Sequence, residues 1–219
     1  MPENPIIPAI APETTDITGN IQVGNPSNRF GGALSTIALL IAAPIIAILL
    51  TTFIFQSYEV DGPSMETTLQ NQDRLIVWKL PRTISRITDK PYIPHRSDII
   101  VFIERGLFEA DNVHNKQLIK RVIGLPGERV VVRDGQITIY NKSHPEGFNP
   151  DINHEFSQNI ATLTTGNIDL VIPLDEVFVC GDNRTNSLDS RAFGTVPAND
   201  IVGKLSVRIF PVSSFKSFL

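Results

Sequence analysis

Residues 129–140 read RVVVRDGQITIY and divide into two short runs around the pair Asp134-Gly135. Valine, isoleucine and tyrosine favour extended backbone because their side chains pack well on a pleated surface. An Asp-Gly pair between two such runs is a strong hairpin signal, since the two-residue turn needs positive φ angles. The segment predicts an antiparallel β-hairpin and therefore a fold that is mainly β.

The rest of the chain beyond residue 56 supports the same fold class. It contains no stretch that keeps helical periodicity over three turns. Residues 141–173 are polar, with Asn and Pro scattered through them, and we interpret them as an insertion or cap on the β domain. The further predicted strands are 74–78, 98–102, 118–123, 177–180 and 201–210.

Residues 31–55 contain no charged side chain, and about 20 apolar residues suffice to cross a bilayer as a helix. Pro44 is expected to kink this helix, which a membrane span tolerates. A buried core helix is the first alternative, but no second apolar stretch of comparable length exists to cover it. A cleaved export signal is shorter and ends in small residues, whereas this stretch ends Phe53-Ile54-Phe55-Gln56. We therefore predict an uncleaved membrane anchor.

The predicted organisation is a disordered tail over residues 1–30, an anchor over 31–55 and a folded domain over 56–219. Arg29 precedes the anchor, and Arg74 is the next cation after it. By the positive-inside rule, the N-terminus is expected in the cytoplasm and the large domain across the membrane.

Composition narrows the function classes. The 219 residues carry a net charge of −4, which makes nucleic acid a poor candidate partner. The single cysteine, Cys180, excludes an intrachain disulfide and a thiolate metal cluster, and its apolar neighbours predict a buried core position. No H-E-x-x-H motif or other compact ligand cluster indicates a metalloprotease.

Two segments carry candidate catalytic residues. Ser64 follows Gly62-Pro63, a pair that favours a turn exposing the next backbone amide, so Ser64 is either a nucleophile or a plain turn serine. Lys120 lies in a predicted strand beside Arg121, and strand alternation places one of these two cations among apolar groups. Burial lowers a lysine pKa, and a neutral lysine can take a proton from serine; the alternative is a lysine that reaches solvent from a half-exposed strand.

A third segment, residues 181–194, concentrates acidic and basic side chains among small polar residues. Such a cluster indicates a rigid hydrogen-bonded loop, which is either structural or holds a third polar group against a catalytic pair.

Taken in order behind one anchor, the three segments resemble the conserved boxes of type I signal peptidases. That family has Ser-Met-x-Pro-Thr-Leu where Ser64–Leu69 reads Ser-Met-Glu-Thr-Thr-Leu, and a Lys-Arg pair before a Pro-Gly turn where Lys120-Arg121 precede Pro126-Gly127. Its last box, Gly-Asp-Asn-Arg, then Ser, then Asp-Ser-Arg, is matched within residues 181–194 and is the most specific.

The resemblance covers residues 58–197 and has two departures. Thr67 stands where the family usually has proline, and Gly62 stands where some members have an oxyanion-binding serine. The glycine points to the members that use backbone amides there.

The resemblance implies an antiparallel β-sheet serine protease domain without a catalytic histidine, a metal or a cofactor. Ser64 would be the nucleophile, its backbone amide an oxyanion donor, and neutral Lys120 the general base. Ser187 would hydrogen-bond Lys120, while Asp189 and Arg191 would brace the loop.

The implied substrates are exported preproteins, bound as an added strand and cut after small residues at the membrane surface. Such a strand would run beside the segments preceding Ser64 and Lys120. The lipid bilayer would be a partner, with a secretion translocon nearby. The expected location is the plasma membrane with the catalytic domain outside the cytoplasm; a thylakoid or organelle inner membrane is the alternative. The implied pocket residues are Val60, Met65, Leu69 and Ile119.

Two rival functions remain open at the level of sequence. One is a non-catalytic, membrane-anchored β module that binds partners. The other is a Ser/Lys protease dedicated to one secretion or pilus system, which cleavage of a generic preprotein would distinguish.

Overall fold

The computed structural model describes residues 29–109, 112–152, 160 and 163–218, without the side chains of residues 29–34, 106–109 and 112–114. Residues 1–28, most of the predicted tail, lie outside the described residues. Helix α1 spans Arg29–Phe53 and contains Pro44. Among the described residues, one helix is long and apolar enough to cross a membrane, over Ser35–Phe53. The helix ends two residues before the predicted end of the anchor, and Phe55 already pairs with Trp78 in a β-sheet.

The larger sheet has eight antiparallel strands in the order β1-β2-β11-β3-β4-β9-β10, with β12 paired to β11. In this order β11, which comes from near the C-terminus, lies between β2 and β3, although β2 and β3 are consecutive strands in the sequence. The strands are β1 (Phe55–Glu59), β2 (Arg74–Trp78), β3 (Ile99–Glu109), β4 (Asn112–Gly124), β9 (Glu176–Cys180), β10 (Val196–Pro197), β11 (Ile201–Phe210) and β12 (Lys216–Ser217).

The smaller sheet has the antiparallel order β7-β6-β5-β8 and contains the predicted hairpin. In its turn, Asp134 and Gly135 have φ angles of 54° and 79°, as a two-residue hairpin turn requires. The residues interpreted as an insertion or cap supply β7 and β8 to this sheet. Its strands are β5 (Arg129–Arg133), β6 (Gln136–Asn141), β7 (His144–Phe148) and β8 (Ile168–Val171).

The predicted mainly β fold with an N-terminal apolar helix is confirmed, and all strand pairings in both sheets are antiparallel. Two short helices were not predicted: α2 (Leu80–Thr88) follows β2, and α3 (Ser190–Phe193) lies in the third polar segment.

The hydrophobic core has two parts that matter for the site. One lies where the smaller sheet covers the end of β4 and β9, and Cys180 is buried there, as predicted. The other lies under the segment that follows β1 and is built from Val60, Met65, Leu69 and Leu75 with residues of β3 and β11. This second cluster fixes the base of the segment that carries Ser64.

Glu128 connects the two sheets at the turn between β4 and β5. Its carboxylate accepts two hydrogen bonds from Arg96 Nη2, at 2.6 and 2.7 Å, and one each from the Leu125 amide and Asn141 Nδ2, both at 2.8 Å. Burial favours the neutral acid, but these donors prevail and lower the pKa of Glu128. The charged carboxylate is therefore a structural element of the fold.

We expect Glu128→Gln to lower the free energy of unfolding by about 3 kcal/mol at pH 7, because Arg96 would lose its buried partner. The folded-state pKa of Glu128 is depressed, so its contribution exists above the unfolded value of 4.5 and disappears as the pH falls below it. Urea unfolding at several pH values measures both effects. Glu146→Gln, at an exposed position on β7, is the matched control, and equal effects from the two variants would contradict the assignment.

Candidate active site

Ser64 lies on a loop whose two ends are joined by backbone hydrogen bonds. The Val60 amide donates to Asp73 O at 2.9 Å, and the Gln72 amide donates to Val60 O at 2.8 Å. Gly62 has a φ angle of 99°, a conformation that a residue with a side chain rarely adopts. The loop thus turns sharply just before Ser64 and presents its half-buried side chain to the interior of a cleft.

Lys120 on β4 brings its amine to this serine. The distance between Lys120 Nζ and Ser64 Oγ is 2.8 Å, and the amine also donates to the carbonyl of Ile119 at 2.9 Å. The lysine is only 3% exposed, so the alternative in which it reaches solvent from the strand is wrong. The structure therefore places the two predicted residues, 56 positions apart in sequence, in direct contact.

Burial lowers the pKa of Lys120 from 10.5 to about 8, because the ammonium loses its hydration. The negative charges of Asp189 and Asp182 act in the opposite direction but do not compensate for the burial. Neither carboxylate is a hydrogen-bond partner of the amine. Lys120 is thus neutral about a tenth of the time at pH 7, far more often than an exposed lysine, and then has a lone pair available.

The neighbouring cation, Arg121, is also buried but has a carboxylate partner. Its guanidinium donates to both oxygens of Asp182, at 2.8 and 2.6 Å, and to Ser97 O at 2.8 Å. It also lies 3.5 Å from the hydroxyl of Thr68 on the Ser64 loop. One side chain of β4 thereby touches both the serine loop and the third polar segment.

The third segment is tied directly to the serine loop. The Asn183 amide donates to Ser64 O at 3.1 Å, and its side chain donates to Pro63 O at 3.2 Å. A side-chain carbon at Gly181 would collide with Ser64 O and with Ser187 Oγ, so glycine is required for this close approach.

Asp189 and Arg191 form a buried pair behind the lysine. Arg191 donates to both carboxylate oxygens, at 2.8 and 2.7 Å, and the Gly181 amide adds a third donor at 3.0 Å. Burial opposes ionisation, but these donors lower the pKa of Asp189. Arg191 also donates to Arg184 O at 2.6 Å, which closes the loop on itself.

Ser187 does not make the predicted hydrogen bond with Lys120. Its hydroxyl is buried beside Gly181 and meets the geometry of a hydrogen bond with no group among the described residues. It is nevertheless close enough to Asp189 to contribute to the lowered pKa of that carboxyl. Its role therefore stays a prediction.

A cleft of about 320 Å³ opens beside the Ser64–Lys120 pair. One wall is the segment from β1 to Ser64, and the other is the second half of β4. The residues that line it include no histidine; they are Tyr58, Glu59, Val60, Asp61, Gly62, Pro63, Ser64, Leu75, Val101, Lys116, Gln117, Leu118, Ile119, Lys120, Asn186 and Leu188.

The four predicted pocket residues fall into two groups. Val60 and Ile119 line the cleft, on opposite walls. Met65 and Leu69 are fully buried in the core cluster below the loop and are not among the residues that line it. Both residues come shortly after Ser64 in the sequence, and the packing of their side chains in the core fixes the loop.

Sequence reasoning missed Tyr58, Asn186 and Leu188 as parts of the cleft. Tyr58 is half-buried between exposed Ser57 and Glu59 in β1, a weak signal in a strand that was not predicted. Asn186 and Leu188 flank Ser187 in the third segment, so their proximity to the cleft follows once that segment is placed against Ser64.

Comparison with known proteins assigns the family. The family model "Signal peptidase, peptidase S26" matches residues 33–210, which is most of the chain. The chain belongs to the signal peptidase family, peptidase S26. Members of this family are serine endopeptidases, and this chain is one of them.

Several curated relatives in this family carry related names. "Probable signal peptidase I-2" of Synechocystis sp. is 36% identical over 174 residues, covering 79% of this chain and 71% of the relative. "Signal peptidase I" of Bacillus amyloliquefaciens is 33% identical over 178 residues, covering 81% and 88%. A solved signal peptidase I from Enterococcus faecalis V583 is 31% identical and covers 52% of this chain and 97% of its own, at a TM-score of 0.38.

For this signal peptidase family member we expect Lys120→Met to raise stability. Burying the ammonium costs the folded state about 3 kcal/mol at pH 7, because the pKa of the amine falls from 10.5 to about 8. Methionine removes that cost and forfeits two hydrogen bonds of about 1 kcal/mol or less each, so a net gain of about 1–2 kcal/mol is expected.

The dependence on pH identifies the cause of that gain. The folded pKa of Lys120 is depressed, so the unfolded chain binds the extra proton between about pH 8 and 10.5, and wild-type stability rises with pH in that window. The advantage of Lys120→Met should therefore shrink between pH 8 and 10.5 in denaturant titrations. Lys142→Met, at an exposed position, is the control; a difference from wild type that does not change with pH would refute the interpretation.

Proposed function

We propose that this chain removes N-terminal signal peptides from exported preproteins, with Ser64 as nucleophile and Lys120 as general base. The 2.8 Å contact between Lys120 Nζ and Ser64 Oγ carries the proposal. Serine is a poor nucleophile until a base takes its proton, and an amine whose pKa has fallen to about 8 is suited to that task at neutral pH.

In the first step, Ser64 Oγ attacks the carbonyl carbon of the scissile peptide while its proton moves to the neutral Lys120 amine. The resulting ammonium is well placed to protonate the leaving amine, which frees the C-terminal product. A water molecule then attacks the acyl-enzyme ester, again with Lys120 as base, and the signal peptide leaves with a new carboxylate.

In the tetrahedral intermediate the substrate oxygen carries a negative charge, which hydrogen-bond donors must stabilise. The Ser64 amide donates no hydrogen bond within the described residues, so it is available to the substrate oxygen. The next residue, Met65, is packed in the core and holds this part of the loop in place. A preorganised backbone donor of this kind contributes about 10²–10³ in rate. Gly62 has no hydroxyl to add, so backbone donors carry this task.

Asp189 and Arg191 act as positioning residues. Their mutual pairing keeps the carboxylate of Asp189 occupied, so it stabilises the protonated lysine from a distance without capturing it. Ser187 lies beside Gly181 and close to Asp189, so its effect on Lys120 would act through that carboxylate.

The substrate binds as an extra strand. β9 pairs with β4 from Arg121 onward, so the part of β4 from Gln117 to Lys120 has β3 on one side and the cleft on the other. An extended peptide there would hydrogen-bond to the β4 backbone and direct alternate side chains towards Val60 and Ile119. The shallow space above these two residues suits small side chains.

The membrane anchor positions this chemistry. α1 ends at Phe53 and β1 begins at Phe55, so the catalytic domain starts at the end of the apolar helix. Ten residues separate Ser64 from Ile54, which an extended chain covers in at most about 35 Å. Arg29 before the helix supports, by the positive-inside rule, a catalytic domain on the extracytoplasmic side.

Both Ser64→Ala and Lys120→Ala should lower kcat/KM for a preprotein by at least about 10³-fold, because each removes one half of the nucleophile–base pair. The assay uses the full chain in detergent and a generic preprotein, with mass spectrometry to locate the cut. Lys142→Ala is the matched control and should cleave like wild type. A Lys120→Ala variant that retains full activity would disprove the proposed base, while an inactive wild-type chain would disprove the proposed substrate class.

The pH profile offers an independent check. Because only neutral Lys120 accepts the proton, kcat/KM should rise about tenfold per pH unit below pH 8 and level off above it. Single-turnover cleavage of a short peptide measures this profile without the contribution of membrane binding. A profile that stays flat from about pH 6 to 9 is incompatible with lysine as the base.

A further inference from the structure

The unpredicted helix α2 has a composition that the catalytic proposal does not use. It spans Leu80–Thr88 with the sequence LPRTISRIT and contains no acidic residue. Leu80, Ile84 and Ile87 recur at helical spacing on one side, while Arg82 and Arg86 lie four residues apart on another. The helix is therefore amphipathic and basic, although the whole chain has a net charge of −4.

Two hydrogen bonds attach α2 to the end of the apolar helix α1. The Thr83 hydroxyl donates to Phe53 O at 2.8 Å, and the Lys79 amide donates to Ile54 O at 2.7 Å. Phe53 is the last residue of α1, so the first turn of α2 lies within hydrogen-bonding distance of the point where the apolar helix ends. If α1 crosses a bilayer, α2 must lie at the lipid–water boundary.

Two of the three residues on the apolar side of α2 are not covered by the protein, whereas Leu80 is half-buried. Ile84 is 49% exposed and Ile87 is 79% exposed. Next to them lies an open groove of about 410 Å³ whose lining includes Trp78 and Tyr92. Tryptophan and tyrosine are enriched at membrane interfaces, where one end of the ring is apolar and the other is hydrated. Trp78 is the one tryptophan of the chain.

The cations around α2 are close enough to repel one another. Partial burial, together with the charges of Arg82 and Arg86, lowers the pKa of Lys79. Asp200 is the carboxylate that acts on Arg82, and it is already hydrogen-bonded to Arg105 at 2.9 and 2.5 Å. Arg86 shares a separate pocket with Asp89, Asp175 and Glu176, so the excess of positive charge lies around Lys79 and Arg82, where an external anion would stabilise it.

We propose that α2 is an interfacial helix that docks on the bilayer and binds anionic lipid headgroups. This inference rests on the proposed membrane anchor. The partner is a lipid surface because the hydrogen bonds to Phe53 and Ile54 fix the helix at the end of the span. The exposed isoleucines suit the apolar acyl layer of such a surface, and the neighbouring cations suit its anionic headgroups. Docking holds the neighbouring β1–β2 end of the sheet against the membrane.

The test uses the full chain reconstituted in vesicles of phosphatidylcholine alone or mixed with phosphatidylglycerol. A fluorophore on Ile87→Cys reports α2, and brominated lipids quench it if the helix enters the interface. The native Cys180 is buried, which keeps it from the label. A fluorophore on Ser143→Cys, at an exposed turn of the smaller sheet, is the matched control.

We expect the Ile87 label to shift to the blue and to be quenched, more strongly with phosphatidylglycerol, while the Ser143 label is unaffected. Replacing Arg82 and Arg86 with Gln should reduce the gain from phosphatidylglycerol by roughly fivefold per cation, and added salt should weaken it. Replacing Arg133 and Lys142 with Gln removes the same charge elsewhere and should change nothing. Unaltered peptide cleavage in detergent shows that these variants are folded.

Flotation of the vesicles separates the two proposals. If the chain does not float with vesicles of either composition after an alkaline carbonate wash, the anchor itself is wrong and this inference falls with it. If the chain floats but the Ile87 label is not quenched, only the docking of α2 is refuted. Equal responses in both lipid mixtures, or equal effects of the two charge variants, would overturn the binding of anionic headgroups.

Discussion

The buried ion pair between Arg121 and Asp182 is the contact on which the catalytic arrangement depends. Arg121 is fixed in β4, Asp182 begins the third polar segment, and Thr68 on the serine loop lies beside the same guanidinium. A buried guanidinium without its carboxylate is strongly unfavourable, so the third segment must lie against β4. Once it does, the Asn183 amide reaches Ser64 O and fixes the backbone of the proposed nucleophile.

The residue before Arg121 is under the opposite constraint. In the proposed mechanism Lys120 needs to lose its proton, so it must form no ion pair with Asp182 or Asp189, although both are near enough to raise its pKa. Both carboxylates are occupied by arginines, Asp182 by Arg121 and Asp189 by Arg191. The arginines therefore do more than brace the loop: they occupy both carboxylates and prevent either from forming an ion pair with the lysine.

Much of this could be predicted from the sequence, for identifiable reasons. The hairpin at Asp134-Gly135 follows from local turn chemistry, and the length of the apolar stretch follows from bilayer thickness. Strand alternation alone left open whether Lys120 or Arg121 faces inward; in fact both are buried, because tertiary contacts with the third segment cover Arg121. The partner of Ser187 also depends on side-chain placement at the ångström level, which no sequence pattern specifies.

The elements that the sequence did not reveal are those whose stability comes from distant partners. β8 lies in a polar region and is stabilised by its pairing with β5. β1 is stabilised in the same way by its pairing with β2. α2 is too short to be stable alone, and hydrogen bonds to the end of α1 hold its first turn. Its Leu80-Ile84-Ile87 spacing was visible in the sequence, but only the contact with Phe53 shows that those side chains lie where the apolar helix ends. Position, rather than composition, turns a marginal helix into a candidate membrane contact.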